Sequence, residues 1–327
     1  MFQNKRNPRR AALSVVGASA LAYAIPGLAQ ADSTVKLIVT FPPGGSTDIA
    51  ARMIQPRLAE KIGRPVVVEN RPGAASQVAT QFVAKSAPDG NTLLVSFDSH
   101  AINPIAKPKL PYDTFKDFTP LSTVAIGPFV LIGRSTLEAK TTAELIKMVH
   151  AMPGKLNFGT DGVGTSLHVT GELIKQRANL DIVHVPYKSG PQVLTDVAGG
   201  QLDLAILPLG LAQPFIREAK VRAYGVTSKS RWSSLPDVPS LSETADLRDF
   251  DVESWLGMLA PAGLPEPIAA ALIKSIDVAT KDPEIIRKMV DIGNKPISIS
   301  GAKFGEYLTR ERQLIQGAVT RANIKVE

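Results

Sequence analysis

The chain has 327 residues, 44% hydrophobic, 20% charged and 6% aromatic, with no cysteine and a formal net charge of +7. That length and apolar content suffice for two ordinary domains and exclude a disordered, collagenous or coiled-coil chain. The lack of cysteine excludes thiol catalysis, zinc-thiolate sites and a lipid anchor on a modified cysteine, and the few aromatics argue against a base- or sugar-stacking surface.

Lys5, Arg6, Arg9 and Arg10 precede an apolar stretch over residues 11–28, and Ala29-Gln30-Ala31 then places small residues around one polar one. This pattern predicts an export leader, residues 1–31, cleaved after Ala31. The stretch is short for an anchor and is interrupted by Gly17, Pro26 and Gly27. The Arg9-Arg10 pair leaves the Sec and Tat routes both open. Without the leader's four basic residues the charge falls from +7 to +3. That mild excess favours an anionic ligand and does not imply nucleic acid.

Beyond the leader, short β-rich runs alternate with helical patterns, which predicts α/β architecture with mainly parallel sheets and flanking helices. A strand over 35–41 runs into Pro42-Pro43-Gly44-Gly45. Ile49, Met53, Ile54, Leu58 and Ile62 then recur at helical spacing, with Gly63 as the stop. Pro56 is expected to kink or divide this helix. A strand over 66–68 ends at Asn70-Arg71-Pro72-Gly73, a short helix covers 77–85, and a strand covers 93–97. Residues 103–118, with several prolines and little periodicity, read as a structured loop.

A second unit starts at the strand over 129–132. It continues with a helix over 142–152 capped by Thr141 or Thr142, a strand over 156–158, and a glycine-rich turn. A helix to Arg177, a strand over 182–185, a helix over 193–198 and strands over 202–207 and 221–227 complete it. Residues 230–249 read as a return linker. A strand over 255–260 and a mostly helical tail follow.

Each half therefore holds one strand–glycine turn–helix unit. The first turn is Pro42-Pro43-Gly44-Gly45-Ser46-Thr47-Asp48; the second runs from Gly159 through Thr160, Gly162, Val163 and Gly164 to Thr165, opening the helix of Ser166 and His168. Glycines let the backbone approach a ligand, and the free N–H groups of a first helical turn attract anions. Each turn alone is equally well a routine βα connection. Neither ends in the Gly-Lys-Ser/Thr of a nucleotide loop, and neither fits the dinucleotide fingerprint. Asp48 would repel an anion if it faced inward; as first-turn charge it stabilises its helix, and it can also meet the other half or a ligand amino group. His168 and Glu172 share a helix face without a third metal ligand at a recognisable spacing, and no nucleophile elbow is present. No cofactor, metal or catalytic residue is expected.

Taken together, Phe41-Pro42-Pro43-Gly44-Gly45-Ser46-Thr47-Asp48, Val66-Val67-Val68-Glu69-Asn70-Arg71-Pro72-Gly73-Ala74, Gly162-Val163-Gly164-Thr165-Ser166-Leu167-His168, His184-Val185-Pro186-Tyr187-Lys188 and Trp255-Leu256-Gly257 resemble the substrate-binding proteins of tripartite tricarboxylate transporters, the Bug receptors. The resemblance covers almost the whole exported chain. It implies a two-lobed periplasmic binding protein of type II, a Venus flytrap: residues 32–130 as the first lobe, 131–250 as the second, and 251–327 returning to the first.

It further implies that the two turns pinch a ligand carboxylate, with Gly44 to Thr47 and Asp48 on one side and Thr160, Gly162 to Ser166 and His168 on the other. Ala75 and Ser76 also fall at the cleft, as do Phe97, Ser99, His100, Tyr187 and Lys188. Leu207-Pro208 stands where many relatives carry an aspartate at a strand end. Leu207 in that place weakens the case for an amino-acid ligand and favours a hydrophobic or aromatic acid. The implied partners are a small carboxylate and integral membrane transporter subunits, with a membrane sensor kinase as the alternative; a periplasmic hydrolase is a more distant one. A monomer in the periplasm is expected.

Overall fold

The computed structural model describes residue 1, residues 34–106 and residues 109–322. The predicted leader and its cleavage point lie outside the described residues. Every element below belongs to the unit formed by residues 33–327.

β1 (Val35–Val39) lies between β2 (Val66–Asn70) and β3 (Thr92–Phe97), parallel to both. Its apolar run is buried on both faces, as a covered parallel strand requires. Leu37 and Val39 pack with Ile54 and Leu58 of α1 (Ser46–Ile62). Ile38 points the other way, into a cluster with Val83 of α2 (Gln77–Ala84), Trp255 and Phe304. The alternation follows the two-residue period of a strand.

The chain then enters β4, one 17-residue strand, Phe118–Arg134. Its first part pairs antiparallel with β9 (Glu253–Pro261), which in turn pairs antiparallel with β3. From Phe129 onward its partners are β7 (Leu204–Pro208) and β8 (Val221–Val226). β7 continues the sheet to β5 (Asn157–Thr160) and β6 (Val183–Pro186), which run parallel. The strand order is β2-β1-β3-β9-β4-β7-β5-β6, with β8 and the two-residue β10 (Lys295–Pro296) also on β4.

The sheet is therefore mixed rather than mainly parallel. The βα units supply parallel pairs, but β4 and β9 link the two sets of strands and run antiparallel to every strand they touch. The second unit also does not begin afresh at Phe129, because β4 is already a strand from Phe118. Pro120 and Pro128 masked this. Pro120 sits beside a register shift, and Pro128 stands where β4 changes partners, two places where a missing ladder N–H costs little.

Two helices were not legible. α3 (Ser99–Ala106) occupies the start of the expected loop, and α7 (Leu209–Arg217) follows β7 directly. Both contain a proline and span barely two turns, too short for a clear period. Pro56, by contrast, does not divide α1, which runs on to its left-handed cap at Gly63, φ 71°. The other helices are α4 (Thr142–Ala151, capped by Thr141), α5 (Ser166–Arg177), α6 (Gly190–Ala198), α8 (Glu266–Thr280), α9 (Pro283–Asp291) and α10 (Ala302–Ala322). No helix among the described residues is long and apolar enough to cross a membrane.

Candidate functional site

The turns that end β1 and β5 converge. One cavity of about 540 Å³ is bordered by Thr40, Phe41 and Pro42, by Gly73 to Ser76, and by Asp161, Gly162, Val163, Tyr187 and Lys188. A smaller one of about 30 Å³ adjoins Gly45, Ser46, Thr47 and Phe97, with Asp161, Ser189, Gly190 and Pro208 opposite. Phe41, Pro42 and Asp161 border both. The first turns of α1, α2 and α6, and the loop entering α5, thus face the same space. Helix N-termini carry partial positive charge and unpaired N–H groups, so the space suits an anion.

The first turn is braced from within. Gly44, at φ 81°, donates its N–H to Asp48 Oδ2 at 3.0 Å. Asp48 Oδ1 accepts from Arg52 Nε and Asn70 Nδ2, both at 2.9 Å. Burial raises the Asp48 pKa, but the bonds from Arg52, Gly44 and Asn70 outweigh it and hold the carboxyl below its ordinary range. Asp48 is thus turned onto its own loop, and the N–H groups of Ser46 and Thr47 head the helix beside the small cavity.

The second turn is braced likewise. Thr165 caps α5 by accepting the His168 N–H, and donates its hydroxyl to the Gly162 carbonyl at 2.9 Å. His168 Nδ1 accepts the Gly164 N–H at 3.2 Å. The His168 ring stacks on His184 at 4.1 Å, and His184 shares a 2.6 Å hydrogen bond with Thr160 Oγ1. Burial lowers the pKa of both rings, that of His184 to about 3, so both are neutral. Thr160, Thr165 and His168 shape the loop, while Gly162 and Val163 reach the larger cavity. Glu172 sits 4.0 Å from His168 but is taken by Lys175 at 2.8 Å.

Ala74, Ala75 and Ser76 all adopt left-handed backbone, with φ of 48°, 51° and 75°. These are positions where glycine would be least strained. Asn103 Nδ2 holds the segment through the Ala75 carbonyl and Ser76 Oγ, and Ser99 donates to Ser76 Oγ. Ser99 therefore acts from behind the wall. Ala75→Gly is expected to raise stability by about 0.5–1 kcal/mol, relief of strain exceeding the entropy lost by glycine. A lowered midpoint in thermal unfolding would refute this.

His100 does not border either cavity. It is buried, packs edge-on against Phe118 and donates from Nε2 to the Thr114 carbonyl at 3.0 Å. Burial lowers its pKa to about 4. A depressed histidine contributes stability that is complete above the unfolded pKa near 6.5 and lost as pH falls towards 4. The stability of the wild type relative to His100→Gln is expected to decline over that window, by up to about 1.4 kcal/mol per pH unit; a gap constant with pH in parallel denaturation curves would contradict it. Leu207 is fully buried in β7, and its neighbour Pro208 takes the wall position.

Three polar atoms at the cavities stand out, of which those of Thr40 and Asp161, unlike that of Ser46, escaped the sequence reading. Thr40 Oγ1, Ser46 Oγ and Asp161 Oδ1 are buried without a hydrogen-bond partner among the described residues. The pairing of Asp98 with Ser166 was also missed. Asp98 Oδ1 accepts from Ser166 Oγ at 2.7 Å, joining the end of β3 to the start of α5. Burial pushes Asp98 well above the usual carboxylate range. Asp98 and Ser166 also border a separate cavity of about 360 Å³, where Asp249, Asp251, Glu253 and Glu311 outnumber Arg177. That charge balance makes it the poorer place for an anion.

A mixed α/β sheet shared by two sets of strands, with helix N-termini facing one cleft, is the build of a two-lobed periplasmic binding protein. A solved periplasmic transporter structure has a TM-score of 0.87 at 34% identity, over 90% of this chain and 99% of the other. An adipate-bound protein of R. palustris gives 0.86 at 30%, over 89% and 98%. MatC from Rhodopseudomonas palustris with bound malate gives 0.83 at 30%, over 88% and 99%. The model of the tripartite tricarboxylate transporter family receptor matches residues 50–321, and the chain belongs to that family of periplasmic receptors. Among its relatives, Protein BugT of Bordetella pertussis is 30% identical over 96% of this chain and 98% of its own. A protein from the tcbD-tcbE intergenic region of Pseudomonas sp. (strain P51) is 35% identical over 79% and 77%.

Proposed function

We propose that this chain captures a small carboxylate between its lobes and delivers it to the membrane subunits of a tripartite tricarboxylate-type transporter. The observation that carries the reading is the convergence of the α1, α2 and α6 N-termini and the loop entering α5 on adjoining cavities. Main-chain N–H groups there neutralise an acid without burying a full counter-charge. The adipate and malate held by its structural neighbours support the same ligand class. The lobes comprise residues 32–130 with 251–327, and residues 131–250. The receptor acts as a monomer, exported with cleavage after Ala31.

Thermal-shift screening against a broad panel of carboxylic acids tests the reading. A true ligand at 100 times its Kd should stabilise the protein by about 2.7 kcal/mol, or roughly 4 °C for a chain of this size. A panel with no response would overturn it.

A further inference from the structure

The geometry points to a ligand that carries, next to its carboxylate, a protonated amino group seated on Asp161 Oδ1. The inference rests on the carboxylate-receptor reading and narrows it from acids in general to amino acids.

Asp161 lies in the second glycine turn and borders both cavities at their junction. Its Oδ1 is buried and lacks a partner, and among the described residues no ion pair engages it. The other braced carboxylate of the site, Asp48, has both oxygens occupied by its own loop. Asp161 is thus the acid left for a ligand to meet. A buried acceptor without a donor calls for one. Burial already pushes Asp161 up to about 6, a shift that the nearby Thr165 hydroxyl and Asp161's own N–H only partly oppose.

A plain dicarboxylate would bring a second negative charge beside this one, which disfavours either ion. A zwitterion answers both demands. Its carboxylate meets the helix N-termini, and its ammonium makes a charge-assisted bond to Asp161 that also offsets the buried negative charge. Phe41 and Tyr187, which border the same cavity as Asp161, offer aromatic surface that tolerates a cation. Pro208, on the same side as Asp161, supplies no charge. This reading stands against the preference for a hydrophobic or aromatic acid drawn from Leu207-Pro208: the acid that meets the amino group would stand at the end of β5 rather than of β7.

Matched acids of equal length test this: succinate, malate and aspartate; glutarate and glutamate; adipate and 2-aminoadipate. Titration calorimetry would give the affinities for the wild type, Asp161→Asn and Asp161→Ala, with circular dichroism confirming that both variants fold. The amino member of one series is expected to bind at least 10-fold tighter than its unsubstituted partner. Both variants should remove that gap by weakening the amino acid while sparing or improving the plain acid. Tighter binding of the plain or hydroxy acid by the wild type would overturn the inference, as would an amino preference that survives both variants. A plain acid that binds well leaves the carboxylate reading intact and sinks only this one; no binding by any acid sinks both.

Discussion

Gly45→Val is expected to leave the fold standing and to weaken carboxylate binding by at least about 100-fold, roughly 2.7 kcal/mol. Gly45 precedes α1 at φ −76°, ψ 164°, extended backbone that valine adopts readily. A Cβ there would meet the Pro42 carbonyl oxygen at 3.4 Å and Phe41 Cβ at 4.0 Å, both ordinary contacts. Gly45 makes no side-chain cap, so the change at the N-cap costs stability at most about 1 kcal/mol. The isopropyl group, however, would enter a cavity of about 30 Å³ beside the N–H groups of Ser46 and Thr47. Calorimetric titration with an acid identified by thermal shift, alongside a denaturation curve, separates the two effects. Unchanged affinity in a folded variant would move the site elsewhere.

Gly171→Val is expected to destabilise the protein by about 2–3 kcal/mol. Gly171 lies in α5 against Phe158 of β5. An added Cβ would run into Phe158 Cε2, with Cζ at 2.8 Å and Ile206 Cδ1 at 3.1 Å. Phe158 cannot yield easily, because it is fully buried and packs on His184 at 4.9 Å between ring centres. Displacing it would disturb His184, then the stacked His168, then the Gly164 N–H that His168 accepts. Ligand affinity should therefore fall along with stability. Phe158→Leu added to Gly171→Val should recover part of the loss, because the shorter side chain frees the space; denaturant unfolding of the four proteins in the cycle measures the coupling. Additive losses would show that the two side chains do not compete.

Of these two glycines, Gly45 is the one the sequence makes readable. The turn at Gly45 announces itself through strand, glycines and helix in immediate succession, all local in sequence. The same locality made α1, α4 and α5 legible, with Thr141 and Thr165 as caps. What failed was long-range. Asp98 and Ser166 are 68 residues apart, and nothing in either neighbourhood marks their bond. His100 follows a strand end as a cleft residue should, yet its helix turns the ring towards Thr114. Asp161 carried one weak signal, a charge set between glycines, that only the missing partner turns into a chemical statement. The mixed sheet was hidden for a different reason: strand direction is decided by which distant segments pair, and β4 pairs with β9, β7, β8 and β10 at once.

The unbroken run of β4 through Gly127 and Pro128 bears on how the cleft opens. A ladder that passes from β9 to β7 and β8 without a loop leaves no free pivot, so the halves turn by torsion of a common ribbon. Torsion of that kind would spread its work over many peptide units rather than concentrate it at one hinge. The register shifts near Pro120, Thr123 and Leu131 are the places where that ribbon already departs from a regular ladder and twists more strongly.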